Sequence, residues 1–397
     1  MLVKHRWIFD ISICMSETWM VEYKYQRKGA NKMKKRYLII FFIFLIVIAG
    51  IWFITQKEKD EAMIKRTQQT AGLGTMADVK PTTSLTQLEE GLSVIRYDGD
   101  YGFQGFLDAG GATSDAGVLN YLMDHVVDVS GLDIIQGLFG CSTIQTINEQ
   151  QDILFGRNFD WENSEALIME SHPVDAYASI STVNLDFIQS GTSVSINRLP
   201  DDVLAQIAMY APLDGMNEKG LAISVNMIQD SDVIEQNKST QDLTTTTAIR
   251  LILNQAADVD EAITLLRAYD MHSSMGMMIH FAIADAKGKS VVVEYINDEI
   301  NVIETRAVTN FYLSPGEKQG IGTSQSHERY DILMNLLDTN KTMNMEQVKD
   351  ALNSVSKDNF GEFESTEWSI VYNLNQKEIH YYHRENYDHR YVFHISE

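Results

Sequence analysis

Apolar and polar residues alternate with a period of two from Leu221 to Met227. Leu221, Ile223, Val225 and Met227 fall on one side, and Ala222, Ser224 and Asn226 on the other. That pattern predicts a strand, opened by the turn Asn217-Glu218-Lys219-Gly220. Further strand pairs are expected at Ser142 to Ile147 with Ile153 to Phe155, at Met277 to Asp285 with Ser290 to Ile296, and at Trp368 to Asn373 with Glu378 to His383. Each pair is separated by a short polar turn. Helical spacing appears at Asp115 to Val129, Thr244 to Ala257, Val259 to Tyr269, His327 to Asp338 and Met345 to Val355. Asp258 and Asn344 are suited to cap two of these helices. Ser84 to Gly91 predicts a short helix with Ser84 as its cap, and Tyr101 to Gly111 a glycine-rich loop. Strands in hairpins, with helices in separate pairs, argue for antiparallel sheets covered by helices rather than for parallel winding.

The first 56 residues break this texture. Leu38 to Ile54 is an uncharged apolar run of 17 residues, reaching about 25 Å as a helix. With Tyr37, Thr55 and Gln56 extending it, the run suits a membrane span at residues 37–56. The basic flank Met33-Lys34-Lys35-Arg36 places residues 1–36 in the cytoplasm and the body outside. Apolar chain continues past the small-residue site Val47-Ile48-Ala49, which favours an uncleaved signal anchor over a cleaved signal peptide. Met33 begins its own basic segment, so residues 1–32 read as an upstream extension. The polar stretch from Gln56 to Thr83 reads as a stalk, and the patterned body follows it.

Composition narrows the function. The chain has 397 residues and a formal net charge of −23, which argues against a nucleic-acid partner. It carries two cysteines, Cys14 and Cys141, so the body holds no disulfide framework. There is no H-E-x-x-H and no Cys/His cluster, so neither a metal nor a cofactor is expected. His380 and His383 fall on opposite faces of their strand, and Met271, Met275, Met277 and Met278 read as core filling.

Cys141 is then the residue with chemistry. It follows Gly140 and is succeeded by Gly156-Arg157-Asn158-Phe159-Asp160-Trp161. A guanidinium near a thiol favours its thiolate, and an aspartate nearby can orient a base or hold an ammonium. The plain alternatives are a small buried hydrophobe at Cys141 and a surface ion pair between Arg157 and Asp160.

The strings Gly140-Cys141-Ser142-Thr143 and Phe155-Gly156-Arg157-Asn158-Phe159-Asp160-Trp161 resemble the choloylglycine hydrolase and penicillin V acylase family. Asn217-Glu218-Lys219-Gly220-Leu221 with Ser224-Val225-Asn226, Val308-Thr309-Asn310, and His327-Glu328-Arg329-Tyr330 extend the resemblance over roughly residues 140 to 390. The family belongs to the N-terminal-nucleophile hydrolases. The resemblance implies an α+β fold, a four-layer αββα sandwich of two antiparallel sheets, and a nucleophile freed by cleavage of Gly140–Cys141, which makes residues 57–140 a stalk and pro-segment and residues 141–397 the catalytic domain. It further implies a linear amide as substrate, attacked by Cys141 with its own α-amine as base. Arg157 would then support the thiolate, Asp160 hold the amine, and Asn226 donate to the oxyanion. Asn310 would position the scissile amide and Arg329 support the site through an ion pair.

A preceding segment of 140 residues resembles the acyltransferase and acid-ceramidase-like branches more than the bile-salt branch. The expected partner is therefore a small N-acyl amide, and hydrolysis and acyl transfer both stay open. Self-association into a homo-oligomer is open as well. Two readings of other classes stand beside this one. One is a cysteine peptidase using His280 or His327, and the other is a silent membrane-anchored binding protein that keeps its pro-segment.

Overall fold

The computed structural model of the chain describes residues 74–125, 140–162, 164–190, 196–358 and 364–395. The apolar run at residues 38–54 lies outside them, as do Leu138 and Phe139. Among the described residues no helix is long and apolar enough to cross a membrane.

The strands follow the chain from β1 (Thr75–Asp78), β2 (Thr86–Glu89) and β3 (Leu92–Asp98) to β4 (Gly140–Ile147), β5 (Ile153–Trp161), β6 (Ala166–His172) and β7 (Ser179–Asn184). Next come β8 (Asp214–Asn217), β9 (Ala222–Met227), β10 (Asp242–Thr244), β11 (Asp270–His272), β12 (Ile279–Ala284) and β13 (Ser290–Ile296). The last are β14 (Glu299–Glu304), β15 (Ala307–Val308), β16 (Ser365–Asn373), β17 (Glu378–His383) and β18 (His389–His394). Among the described residues they form two large sheets and one short parallel pair, β10–β11. One sheet runs β1-β18-β17-β16-β5-β4-β15, and the other β14-β13-β12-β9-β8-β7-β6-β3-β2. Pairing is antiparallel except at β1–β18, β3–β6 and β10–β11.

The helices are α1 (Phe103–Asp108), α2 (Asp115–His125), α3 (Leu185–Ser190), α4 (Asp201–Ala208), α5 (Thr245–Gln255), α6 (Val259–Ala268), α7 (Ser324–Thr339) and α8 (Met345–Ser354). Helices α5 and α6 pack on the nine-stranded sheet, and α7 and α8 on the seven-stranded one. Leu333, Leu337, Val348 and Leu352 of α7 and α8 close over Ile144, Leu154 and Val371. On its other face that sheet adds Phe155, Phe159, Trp368 and Tyr372 to the core that holds Ile180, Met216, Ile223 and Val225 of the second sheet. The expected caps form: Asp258 accepts from the Glu261 N–H, and Asn344 and Gln347 make a reciprocal capping box.

Two expectations fail. Ser84 to Gly91 is not a helix, because Thr86–Glu89 pairs with Leu92–Asp98 in a hairpin. Gly91 turns it at φ 82, and Leu92 and Val94 gain burial by docking β3 beside β6. Tyr101 to Gly111 contains α1 rather than an open loop, because Phe103, Phe106 and Leu107 turn inward. Phe103 and Phe106 pack around Tyr210, with ring centroids 5.5 and 5.6 Å away. Residues 75–125, read from the sequence as part of a stalk and pro-segment, supply strands to both large sheets.

Candidate active site

The register of β4 against β5 sorts the candidate residues onto two faces. Cys141 stands opposite Phe159, Thr143 opposite Arg157, and Gly140 opposite Asp160. Residues two apart share a face of a strand, and residues three apart do not. Cys141, Arg157 and Phe159 therefore look into the space between the sheets, while Asp160 looks toward α7 and α8. The plain alternative of an Arg157–Asp160 ion pair is thus excluded by the pleat, and each residue has a different buried partner.

Arg157 is fully buried and donates from Nε to Asp214 Oδ2 at 2.6 Å. Its Nη1 donates to Asn226 Oδ1 at 3.2 Å. Asp214 also accepts from Trp368 Nε1 at 2.9 Å and from the Tyr372 hydroxyl at 3.2 Å. Burial opposes the guanidinium's charge, but the Cys141 sulfur and the Asp214 carboxylate outweigh it and raise its pKa. The Cys141 thiol is pushed upward by burial. The Arg157 guanidinium pulls it down, the Asp160 charge pushes it up, and the Asp160 backbone N–H pulls it down. Burial wins, so the chain keeps a neutral thiol rather than the resting thiolate that Arg157 alone would favour.

On the other side of Cys141, its backbone N–H donates to Asn310 Oδ1 at 2.9 Å. Arg329 holds the same peptide region. Its Nη1 donates to the Cys141 carbonyl at 3.1 Å and to Asp160 Oδ2 at 3.0 Å, and its Nη2 donates to Asn310 Oδ1 at 2.6 Å. Asn310 is fixed in turn, donating from Nδ2 to the Met227 carbonyl at 2.7 Å and from its N–H to Ser326 Oγ at 2.6 Å. Asp160 accepts from Thr366 Oγ1 at 2.7 Å. All six sequence-selected residues, Cys141, Arg157, Asp160, Asn226, Asn310 and Arg329, thus join one connected cluster. Arg329 is 5% exposed, so α7 presents it to the buried cluster and not to solvent.

Asn226 Nδ2 is buried and has no hydrogen-bond partner. A buried amide N–H₂ without an acceptor is costly, on the order of 1–3 kcal/mol, and calls for a function. An apolar cavity opens at Cys141, walled by Val118, Leu119 and Leu122 of α2 and by Phe159, Met275 and Met277. Met275 and Met277 therefore line this cavity instead of only filling core.

Sequence reasoning missed Asp214. A signal existed: Asp214-Gly215-Met216 leads directly into the turn at Asn217, and an arginine buried between sheets requires a carboxylate. Asn217 and Gly220 serve the turn itself. Asn217 Oδ1 accepts from the Lys219 and Leu221 N–H groups, and Gly220 has φ +77 where a side chain would strike the Leu374 carbonyl. The two histidines considered as bases are engaged elsewhere. His280 Nε2 donates to the Thr309 carbonyl at 2.8 Å with Nδ1 3.4 Å from Glu294, and His327 Nε2 donates to the Gly320 carbonyl at 2.9 Å. One grouping with metal-ligand chemistry was not foreseen. Asp242, Asp270 and His272 bring one ligand atom each within 4.8 Å of one another. His272 Nε2 is 3.0 Å from Asp242 Oδ1, which gives the group an ordinary hydrogen-bonded explanation.

Residues 147–388 match the family profile described as Acyl-coenzyme A:6-aminopenicillanic acid acyl-transferase. The match begins just past Cys141 and includes the other five residues. Among solved structures, a mutant conjugated bile acid hydrolase from Clostridium perfringens is similar at 17% identity and TM-score 0.46, over 62% of this chain and 90% of that one. A penicillin V acylase from Agrobacterium tumefaciens is similar at 18% identity and TM-score 0.44, over 61% of this chain and 83% of that one. No curated protein sequence matches the chain.

Proposed function

The chain belongs to the Acyl-coenzyme A:6-aminopenicillanic acid acyl-transferase family, and on that premise we propose that it is an N-terminal-nucleophile amidohydrolase working through Cys141. The substrate is a linear, non-peptide N-acyl amide. The observation that carries this reading is the cluster at Cys141: a thiol at an apolar cavity, Arg157 beside it, and an Asn226 Nδ2 with no acceptor of its own.

The chemistry follows from those parts. Cys141 Sγ attacks the Gly140 carbonyl, the C–N bond breaks, and the thiol proton passes to the departing nitrogen. Water then opens the thioester, leaving Cys141 with a free thiol and an α-amine. That amine has a reference pKa of about 8, suited to take the thiol proton at the start of each turnover. Asn310 Oδ1, already on this nitrogen in the uncleaved chain, stays as its acceptor. During turnover the sulfur takes the acyl group, the amine product leaves with the proton, and water releases the acid. Asn226 Nδ2 donates to the oxyanion of both tetrahedral intermediates, which explains an amide left unsatisfied in the resting structure. The apolar lining of the cavity favours an apolar acyl group.

Intact mass after expression tests nucleophile and cut together. Wild type should appear as a C-terminal chain of 257 residues (397 − 140), and Cys141→Ala should stay whole and inactive. The processed protein should turn over at least one of a panel of bile-acid conjugates, phenoxyacetyl β-lactams, N-acyl homoserine lactones and N-acyl amino acids. Cleavage of peptides that depends on His280 or His327, with no acyl-enzyme detectable by mass, would replace this reading with a peptidase. Formation of a new amide when an amine is supplied would identify acyl transfer instead of hydrolysis.

A further inference from the structure

Gly140, the residue on the far side of the bond to be cut, is flanked by a charged pair that the chemistry above leaves unused. A Cβ at position 140 would overlap Glu364 Oε1 and Lys357 Nζ and lie 3.0 Å from Asp160 Oδ2. Lys357 and Glu364 form an ion pair, and both are 6% exposed. Lys357 Nζ lies 3.8 Å from Asp160 Oδ2, and its backbone N–H donates to Thr366 Oγ1 at 2.8 Å. Thr366 Oγ1 in turn donates to Asp160. The pair is therefore anchored to β16 and to Asp160, and it abuts Gly140 on the sheet face opposite Cys141.

A buried ion pair seldom adds net stability over apolar residues of the same size. Its place against the scissile residue needs another explanation. We propose that Lys357 and Glu364 are positioning residues for self-cleavage alone: they pack against Gly140 and keep its peptide where Cys141 Sγ reaches the carbonyl. This rests on the self-cleavage reading above. The pair takes no proton in the step. The bond formed is Sγ to the Gly140 carbonyl carbon, the bond broken is that carbon to the Cys141 nitrogen, and the thiol proton leaves on that nitrogen. After thioester hydrolysis Gly140 carries a carboxylate on the separated segment. The apolar cavity of turnover lies on the other face of β4, away from this pair.

The experiment uses the full chain with Gly140→Ala, Lys357→Met, Lys357→Arg and Glu364→Gln. Intact mass against time gives the cleavage rate, and the steady-state rate divided by the acyl-enzyme titre gives turnover per cleaved chain. Gly140→Ala and Lys357→Met should slow cleavage roughly 10- to 100-fold, as a misplaced reacting group does. Glu364→Gln should slow it as well, and Lys357→Arg should restore part of the rate. Turnover per cleaved chain should stay within about twofold of wild type, since the reacting groups of turnover are untouched. Glu364→Gln keeps the size of the side chain and leaves Gly140 unchanged, so it decides the matter even if Lys357→Met fails to fold. Wild-type cleavage with unchanged rates in the variants would overturn the pair's role. So would a parallel fall in turnover, which would place the pair in the mature site. A wild-type chain that stays whole would overturn the self-cleavage reading and this proposal with it.

Discussion

Arg329 Nη1 lies 3.0 Å from Asp160 Oδ2, although the two residues are 169 positions apart in the chain. The same Nη1 donates to the Cys141 carbonyl, so one guanidinium ties α7 to both strands of the β4–β5 hairpin. Both side chains are nearly or wholly buried. Removing one partner of such a pair leaves an uncompensated charge in a low-dielectric site. Arg329→Ala should lower stability by about 3 kcal/mol, since breaking buried pairs costs on this scale. Urea unfolding of the uncleaved Cys141→Ala background, with and without Arg329→Ala, measures it. A loss under about 1 kcal/mol, the scale of exposed pairs, would show that Lys357 compensates Asp160 alone.

Asn226→Ala should lower kcat by about 10²–10³-fold with little change in KM, because its Nδ2 gains a partner only as the oxyanion forms. Steady-state kinetics on processed protein gives the split. A rise in KM at constant kcat would instead make Asn226 a ground-state binding group.

Burial holds the Cys141 thiol neutral in the uncleaved chain, and Arg157 is the largest influence in the other direction. Alkylation by iodoacetamide in a precursor that has not cleaved should therefore be slow at neutral pH and rise only above the ordinary thiol range. Arg157→Ala should move that rise to still higher pH. Equal alkylation profiles for the two proteins would remove Arg157 from thiolate support.

His383 connects β17 to Glu89 of β2, with Nδ1 3.3 Å from Oε1. Burial lowers its pKa from 6.5 to about 4, against the pull of Glu89. The unfolded histidine takes a proton first as pH falls. Stability is therefore kept above about 6.5 and lost progressively toward about 4. A shift of this size amounts to on the order of 3 kcal/mol. His383→Leu should flatten that acid limb, as read from denaturation midpoints between these two pH values. An unchanged slope would assign the acid sensitivity to other groups.

Local pattern was legible wherever one face of an element meets solvent or a turn. The alternation at Leu221 to Met227, the capping residues Asp258 and Asn344, and the turn glycine Gly220 all carry signals within a few residues of themselves. Strands β6 and β7 did not, because almost every position in them is buried on both faces and no alternation remains. The Thr86–Glu89 hairpin was masked for a related reason: β3 becomes a strand by docking on β6, some 70 residues away in the chain.

The candidate site divides along the same line. Sequence by itself selected the residues proposed to carry the chemistry, since the Gly140-Cys141 string, the Arg157 and Asp160 spacing, and the short strings around Asn226 and Asn310 are local features. Tertiary structure alone decided who partners whom. The pleat sends Arg157 between the sheets to Asp214 and Asn226, and sends Asp160 outward to Arg329 and Lys357. A charge removed from water must be met by another within a few ångströms, and that partner can be supplied from any distance along the chain.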